Sequence, residues 1–303
     1  MTPPPSGRQI TLRHGDQELT VVEVGAGLRA FTWGGRDVLD AYPVSEIAPG
    51  AHGQALLPWP NRLQDGAYDF GGARHQTPIS EPERDNAIHG LTRWLNWEVR
   101  AAGPARAELA TLLHPQPGYP FTLALQLDYE LADDGLTVTL SATNEGDGPL
   151  PFGAGFHPYL SPGGPAVDSA RLRLPVATAL EVNERMLPTG QTHAIGGEDD
   201  FRQLRAIGSQ VLDGCFTELE RDADGRARVE LAGADGRTVT LWLDESWPFV
   251  QIYSGDTLPA GLRRQGLAIE PMTCPANAFR SGTGLLTLAP AQTFRGSWGL
   301  RLT

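Results

Sequence analysis

Five short segments of this chain concentrate residue types that can move protons or grip polar ligands. In Phe152-Gly153-Ala154-Gly155-Phe156-His157-Pro158-Tyr159, glycines let backbone approach a ligand closely and Pro158 fixes the chain after the histidine. Histidine titrates near neutrality, so His157 can both give and take a proton. In Ala268-Ile269-Glu270-Pro271, Glu270 closes an apolar run. Apolar neighbours raise a carboxyl's pKa toward that of a general base working near pH 7. Leu57-Pro58-Trp59-Pro60-Asn61-Arg62-Leu63 is stiffened by its prolines and would present Asn61 and Arg62 rigidly. A guanidinium fork holds hydroxyl-rich or anionic ligands without losing its charge. Asn86-Ala87-Ile88-His89-Gly90-Leu91 is followed closely by Arg93, Trp94 and Trp97. That polar and aromatic mixture suits a sugar, with its apolar faces and hydroxylated rim. Leu212-Asp213-Gly214-Cys215-Phe216 sets a carboxylate at the head of a strand-like run. Taken singly, each segment has a purely structural reading: a surface arginine, a histidine packed beside core tryptophans, a turn aspartate or a strand-end glutamate.

Composition removes whole classes of chemistry. The 303 residues include 24 basic and 36 acidic side chains, a formal net charge of −12. Every basic residue other than histidine is arginine. Without lysine there is no Schiff-base or Walker-A chemistry. The acidic balance argues against nucleic acid, whose binding draws on phosphate neutralisation. Cys215 and Cys274 cannot supply a four-ligand zinc site. His14, His52, His75, His89, His114, His157 and His193 include no pair at i, i+2 or i, i+4, so no metal is expected. His114, before Pro115, reads as a solvated turn residue. Gly25-Ala26-Gly27-Leu28-Arg29-Ala30 nearly matches a dinucleotide fingerprint, but a strand rather than a helix follows, so no cofactor is expected. Neither Gly-x-Ser-x-Gly nor His-Glu-x-x-His occurs. There is no run of about 18 apolar residues, and Met1–Ser6 is proline-rich without an apolar core. The expectation is a soluble cytoplasmic protein with reduced cysteines and no membrane partner.

The elements that must position these segments read as strands. Leu123, Leu125, Leu127, Tyr129 and Leu131 alternate with their neighbours, and Leu136, Val138 and Leu140 resume after Ala132-Asp133-Asp134-Gly135. This is a hairpin with one buried face. Asp224-Gly225 and Asp235-Gly236 bracket Arg228–Leu231, with Val239, Leu241 and Leu243 beyond, and Asp-Gly suits tight hairpin turns. Further strands are predicted at Leu19–Val24, Leu28–Trp33, Trp97–Ala101, Ala107–Leu113, Leu172–Val176, Phe249–Tyr253, Gly266–Ile269 and Thr293–Leu302. One helix is predicted, at Asp199–Ile207, with Phe201 and Leu204 on one face and Gly208 to end it. Many short strands without strand–helix alternation argue for an all-β sandwich or barrel. No repeat or linker divides the chain, so residues 1–303 are expected to form a single domain with 1–16 loosely ordered.

Together the segments resemble the aldose 1-epimerase, or galactose mutarotase, family across about Val21 to Leu302. The resemblance rests on Pro60-Asn61-Arg62, Asn86-Ala87-Ile88-His89-Gly90, Gly155-Phe156-His157-Pro158-Tyr159 and Glu270-Pro271-Met272-Thr273-Cys274-Pro275-Ala276-Asn277-Ala278-Phe279, in that order. Gly118-Tyr119-Pro120 leading into Tyr129-Glu130-Leu131 is similar too. The resemblance implies a large antiparallel β-sandwich, the galactose mutarotase-like supersandwich, and a monosaccharide substrate. It implies His157 as general acid and Glu270 as general base. Arg62 and His89 would then hydrogen-bond the sugar around its ring oxygen, with Asp213 gripping hydroxyls and Asn61 and Gln251 as further contacts. Pro58-Trp59-Pro60 is similar to the branch associated with sulfoquinovose utilisation, which brings an anionic sugar or hexose phosphate into play. Arg84, Arg93, Arg263 and Arg264 could serve such an anion. A non-catalytic sugar-binding protein and a glycosidase using Asp213 with Glu270 are the alternatives from other classes. In the mutarotase, His157 starts protonated and Glu270 ionised, and a bell-shaped pH profile follows. Oligomeric state is not legible at this level.

Overall fold

The computed structural model describes residues 3–303, and among them strands dominate. Alternating apolar residues build the longest ones. Leu123–Ala132 and Gly135–Asn144 pair antiparallel, with Leu127 opposite Leu140 and Ala132 opposite Gly135. Leu123, Leu125, Leu127, Tyr129 and Leu131 all point into the core. Thr293–Leu302 pairs on the other side of Gly135–Asn144. Around these lies a nine-stranded sheet, in the spatial order 98–102, 106–113, 123–132, 135–144, 293–302, 238–243, 227–232, 171–173 and 205–206.

A second, eight-stranded sheet runs in the order 188–194, 176–182, 213–219, 249–253, 267–272, 155–156 and 55–56, with 159–160 also paired to 267–272. The two large sheets meet through aromatic packing. Phe156, from the second sheet, lies 5.2 Å from Trp298 of the first and 5.6 Å from Trp247. All three are buried. A four-stranded sheet of 9–14, 17–22, 28–33 and 36–37 closes one end. It is tied to the first sheet where Gln17 Nε2 donates to the Ala132 carbonyl at 2.7 Å and the Tyr129 hydroxyl donates to that of Ala26.

Several expectations are corrected. Residues 1–16 are not a loose segment throughout, because Gln9–His14 pairs fully with Gln17–Val22 and buries Ile10 and Leu12. Met1 and Thr2 lie outside the described residues. The helix expected at Asp199–Ile207 does not form. Asp200 Oδ1 accepts the Arg202 backbone N–H at 3.0 Å, a local bond that competes with helix formation. Phe201 and Ile207 are buried all the same, and Arg205–Ala206 joins the nine-stranded sheet. The strand expected at Leu172–Val176 is broken. Pro175 has no N–H to donate, and the chain leaves the first sheet at Arg173 and enters the second at Val176. Gly25-Ala26-Gly27 is a tight turn in which the Val22 N–H donates to the Gly27 carbonyl at 2.8 Å. The one α-helix among the described residues is the single turn Ala278–Ser281. No helix among them is long and apolar enough to cross a membrane.

Candidate active site

The catalytic and binding residues expected from sequence lie on six chain segments that converge on one cavity of about 130 Å³. Asn61, Arg62, His89, His157, Asp213, Gln251 and Glu270 all line it, joined by Arg84, Ile88, Tyr253 and Thr257. The eight-stranded sheet supplies its floor. Gln251 lies directly opposite Glu270 in the pairing of Phe249–Tyr253 with Leu267–Met272, and Asp213 lies opposite Tyr253. Side chains on one sheet face recur every second residue, so Gln251 and Tyr253 share the cavity. That alternation was the signal that could have found Tyr253. His157 follows the short strand Gly155–Phe156, and its carbonyl accepts the Gly53 N–H at 2.9 Å.

A second small ladder carries the cavity wall. Arg62–Gln64 pairs with Asn86–Ile88, so Arg62 sits opposite Ile88 and next to His89. The chain turns sharply on both sides: Asn61 has φ 54° and His89 has φ 63°. A Cβ on Gly90, at φ +68°, would come within 2.0 Å of the Leu57 carbonyl oxygen, so only glycine follows His89 there.

Arg62 is held before any ligand arrives. Its Nε donates to both Glu81 oxygens at 3.0 and 2.9 Å, and its Nη2 to Oε1 at 2.9 Å. Burial alone would favour a protonated Glu81, but the hydrogen bonds from Arg62 and Asn86 and the charges of Arg62 and Arg84 hold its carboxyl below the usual range. Glu81 had no distinguishing mark in the sequence; only the folded ladder brings it to Arg62. Of the other arginines in question, Arg84 lines the cavity and reaches Glu81 at 3.2 Å. Arg93 sits behind it, its Nη1 donating to Gln54 Oε1 at 3.4 Å, and burial lowers its pKa to about 10. Arg264 is tied to Asp168 and Asp256, and Arg263 is exposed away from the cavity.

At the centre, His157 Nε2 lies 3.3 Å from Glu270 Oε1. Both side chains are buried, and His157 Nδ1 and Glu270 Oε2 have no hydrogen-bond partner in the protein. Burial, reinforced by the charges of His52 and Arg93, pushes the His157 pKa down to about 3. Burial, reinforced by Asp213, pushes Glu270 well above the carboxylate range. The environment therefore favours neutral histidine beside a protonated carboxyl, the reverse of the ionisation expected from sequence. Both arrangements hold one proton between the two groups and differ by a single transfer across that gap. Burial also raises Asp213, partly offset by Arg62 and by the Gln251 Nε2 bond to its Oδ1 at 2.8 Å. His89 stands edge-on to His157, with ring centroids 5.4 Å apart.

Beneath the cavity, Cys215 and Cys274 are buried free thiols. Among the described residues no group of three His, Cys, Asp or Glu side chains is placed to hold a metal.

The sheets and their order define a galactose mutarotase-like β-supersandwich. The structure superposes on the GalM/aldose epimerase homologue of C. elegans with a TM-score of 0.87, at 17% identity over 98% of each chain. It superposes on galactose 1-epimerase from Lactobacillus acidophilus with a TM-score of 0.82, at 22% identity over 97% of this chain and 94% of that one. The aldose 1-epimerase family model matches residues 8–301, and the chain belongs to that family. It is 37% identical to the uncharacterized protein YihR of Escherichia coli K12, across 96% of this chain and 92% of the relative.

Proposed function

We propose that this protein interconverts the α and β anomers of an aldose by acid/base ring opening and reclosure, with His157 and Glu270 carrying the protons. One observation carries the reading: a buried histidine and glutamate stand 3.3 Å apart in a small cavity whose other lining residues, Ile88 excepted, have hydrogen-bonding side chains. The anomeric hydroxyl binds at Glu270 and the ring oxygen at His157. Glu270 as carboxylate takes the hydroxyl proton while protonated His157 gives its own to the ring oxygen. The C1–O bond of the ring breaks, leaving a free aldehyde. C1–C2 then rotates, the ring hydroxyl attacks the other face of the carbonyl, and both proton transfers run backwards. The sugar's hydroxyls replace the missing solvent around the charged pair, drawing the shared proton onto His157. Each well-placed acid or base contributes about 10²–10⁴-fold, enough for a reaction that already proceeds slowly in water.

Arg62, braced by Glu81, and His89 hold the ring-oxygen side. Asp213, Gln251 and Asn61 take hydroxyls. The galactose 1-epimerase resemblance supports a neutral hexose. A second reading, an anionic aldose such as sulfoquinovose or a hexose phosphate, is favoured by Arg84 reaching the cavity beside Arg62. Proton-exchange NMR of anomer interconversion on galactose, glucose and sulfoquinovose tests both. Acceleration lost in Glu270→Gln supports the mechanism, and the fastest sugar identifies the class. Silence on every sugar, with tight sugar binding, would establish a non-catalytic binding protein. Cleavage of a glycoside that Asp213→Asn abolishes would mark a glycosidase.

A further inference from the structure

Two buried aromatic side chains behind the cavity have no part in these proton transfers. Tyr159 and His52 lie outside its lining. The His52 ring is nearly parallel to that of Tyr159, with centroids 3.7 Å apart and planes 6° apart. The His157 ring is also nearly parallel to Tyr159, at 4.9 Å and 16°. Three rings thus share one orientation.

The outer part of this stack is fastened from several sides. His52 Nδ1 faces the Pro49 carbonyl at 2.5 Å, and Nε2 faces Asp40 Oδ2 at 3.1 Å. The Tyr159 hydroxyl donates to the Gly50 carbonyl at 3.0 Å. Gly50 has φ +51°, and a Cβ there would lie 2.6 Å from Leu258 Cδ2 and 3.3 Å from that hydroxyl. The Asp40 N–H donates to the Tyr159 carbonyl at 2.8 Å, and Tyr159 pairs with Ala268 in the strand that carries Glu270. By contrast, the ring nitrogens of His157 have no fixed partner besides Glu270, a group that must itself exchange protons. A catalytic imidazole is ordinarily oriented by a hydrogen bond to its second nitrogen. Here the ring plane is set by packing.

We propose that Tyr159 and His52 are positioning residues for the proton transfer at His157. The stack holds the imidazole plane fixed relative to Glu270, so that one nitrogen meets the sugar ring oxygen in the productive orientation. This role rests on the mutarotase reading. A supporting shell of this kind is needed because productive geometry tolerates only about 0.5 Å and 10–20°, and a misplacement of about 1 Å can cost 10²-fold.

The test measures kcat and KM for anomer exchange, per folded molecule, in Tyr159→Leu, Tyr159→Phe and His52→Leu, with folded fraction read from circular dichroism. Tyr159→Leu is expected to lower kcat by about 10–100-fold with KM within about twofold. Tyr159→Phe keeps the ring and is expected to restore kcat to within about threefold of wild type. His52→Leu, which removes only the outer ring, is expected to lower kcat by about tenfold, and it carries the test if Tyr159→Leu does not fold. Wild-type kcat in folded His52→Leu or Tyr159→Leu, or an equal loss in Tyr159→Phe, would overturn the positioning role while leaving the mutarotase intact. A wild type inactive on every sugar would overturn the mutarotase reading and this role together.

Discussion

The nine-stranded sheet runs through ten-residue strands such as Gly135–Asn144 and Leu123–Ala132, and in the latter buried and less buried residues alternate. The eight-stranded sheet includes two-residue strands at Ala55–Leu56, Gly155–Phe156 and Tyr159–Leu160, and its strand Leu267–Met272 is buried at every position. The first sheet pairs its backbone in long ladders and buries no arginine, histidine or carboxylate side chain, its unpartnered buried side-chain atoms being Trp298 Nε1 and Arg301 Nε. The second carries Glu270 in its interior, with His157 beside it and polar atoms of both left unpaired. Unpaired buried polar groups cost stability, so a fold tolerates them where a ligand will complete them. The contrast separates what holds the molecule together from what it holds ready.

The sharpest way to break that contrast is Glu270→Gln. On the reading above it lowers kcat/KM by about 10²–10⁴-fold in the NMR exchange assay. The same change should raise the melting temperature at pH 7. Folded Glu270 keeps its proton above the usual range, whereas the unfolded side chain loses it near its ordinary value of 4.5. Between those two values the folded state binds more protons, so its stability falls as pH rises, and glutamine escapes the loss. The gain should vanish in melts below about pH 4.5. A lower melting temperature for the variant at pH 7 would contradict the assigned burial effect.

Leu127→Ala probes the opposite sheet. Leu127 is fully buried opposite Leu140, and its truncation should cost about 2–5 kcal/mol in denaturant titration. Activity per folded molecule should stay at the wild-type level; a loss comparable to that of Glu270→Gln would erase the distinction between the sheets. Glu81→Gln frees Arg62 from its brace and should raise KM roughly tenfold, about 1.4 kcal/mol, with a smaller change in kcat. The mildest effect concerns pH. Activity should persist on the acid side down toward pH 3, where neutral His157 takes a second proton into the pair. The alkaline limb follows loss of the proton from Glu270, and Asp213→Asn should move that limb down by removing the negative charge that helps raise it. A limb that moves up would reverse the sign argued here.

Much of this was legible in the amino-acid pattern, for identifiable reasons. Phe249–Tyr253 and Thr293–Leu302 were predicted with their observed limits because alternation and flanking turns are local properties. Six of the seven expected site residues lay in segments marked by prolines or glycines, while Gln251 came only through the family resemblance. Glu81, His52 and Tyr159 also stand beside a proline or glycine, but nothing in the sequence showed what they touch, since their partners exist only once distant segments meet. Arg62 finds Glu81 through the pairing of 62–64 with 86–88. Asp199–Ile207 misled because Phe201 and Leu204 stand at helical spacing, whereas the chain buries Phe201 and Ile207 from a turn followed by an edge strand. The upward shift of Glu270 was argued from its apolar neighbours, whereas the downward shift of His157 depends on burial that only the fold supplies.

The two thiols beneath the site give the molecule a built-in clock. Burial pushes Cys274 up to about 12 and Cys215 higher still. Since the thiolate is the reacting species, alkylating reagents and mild oxidants should pass over the closed protein. Labelling then proceeds only as fast as the surrounding strands part. Cys215 sits opposite Gln251, and Cys274 lies just beyond Met272, so the two rates time separate openings on either side of the strand Phe249–Tyr253. A bound sugar that bridges these strands should slow both in proportion to its occupancy.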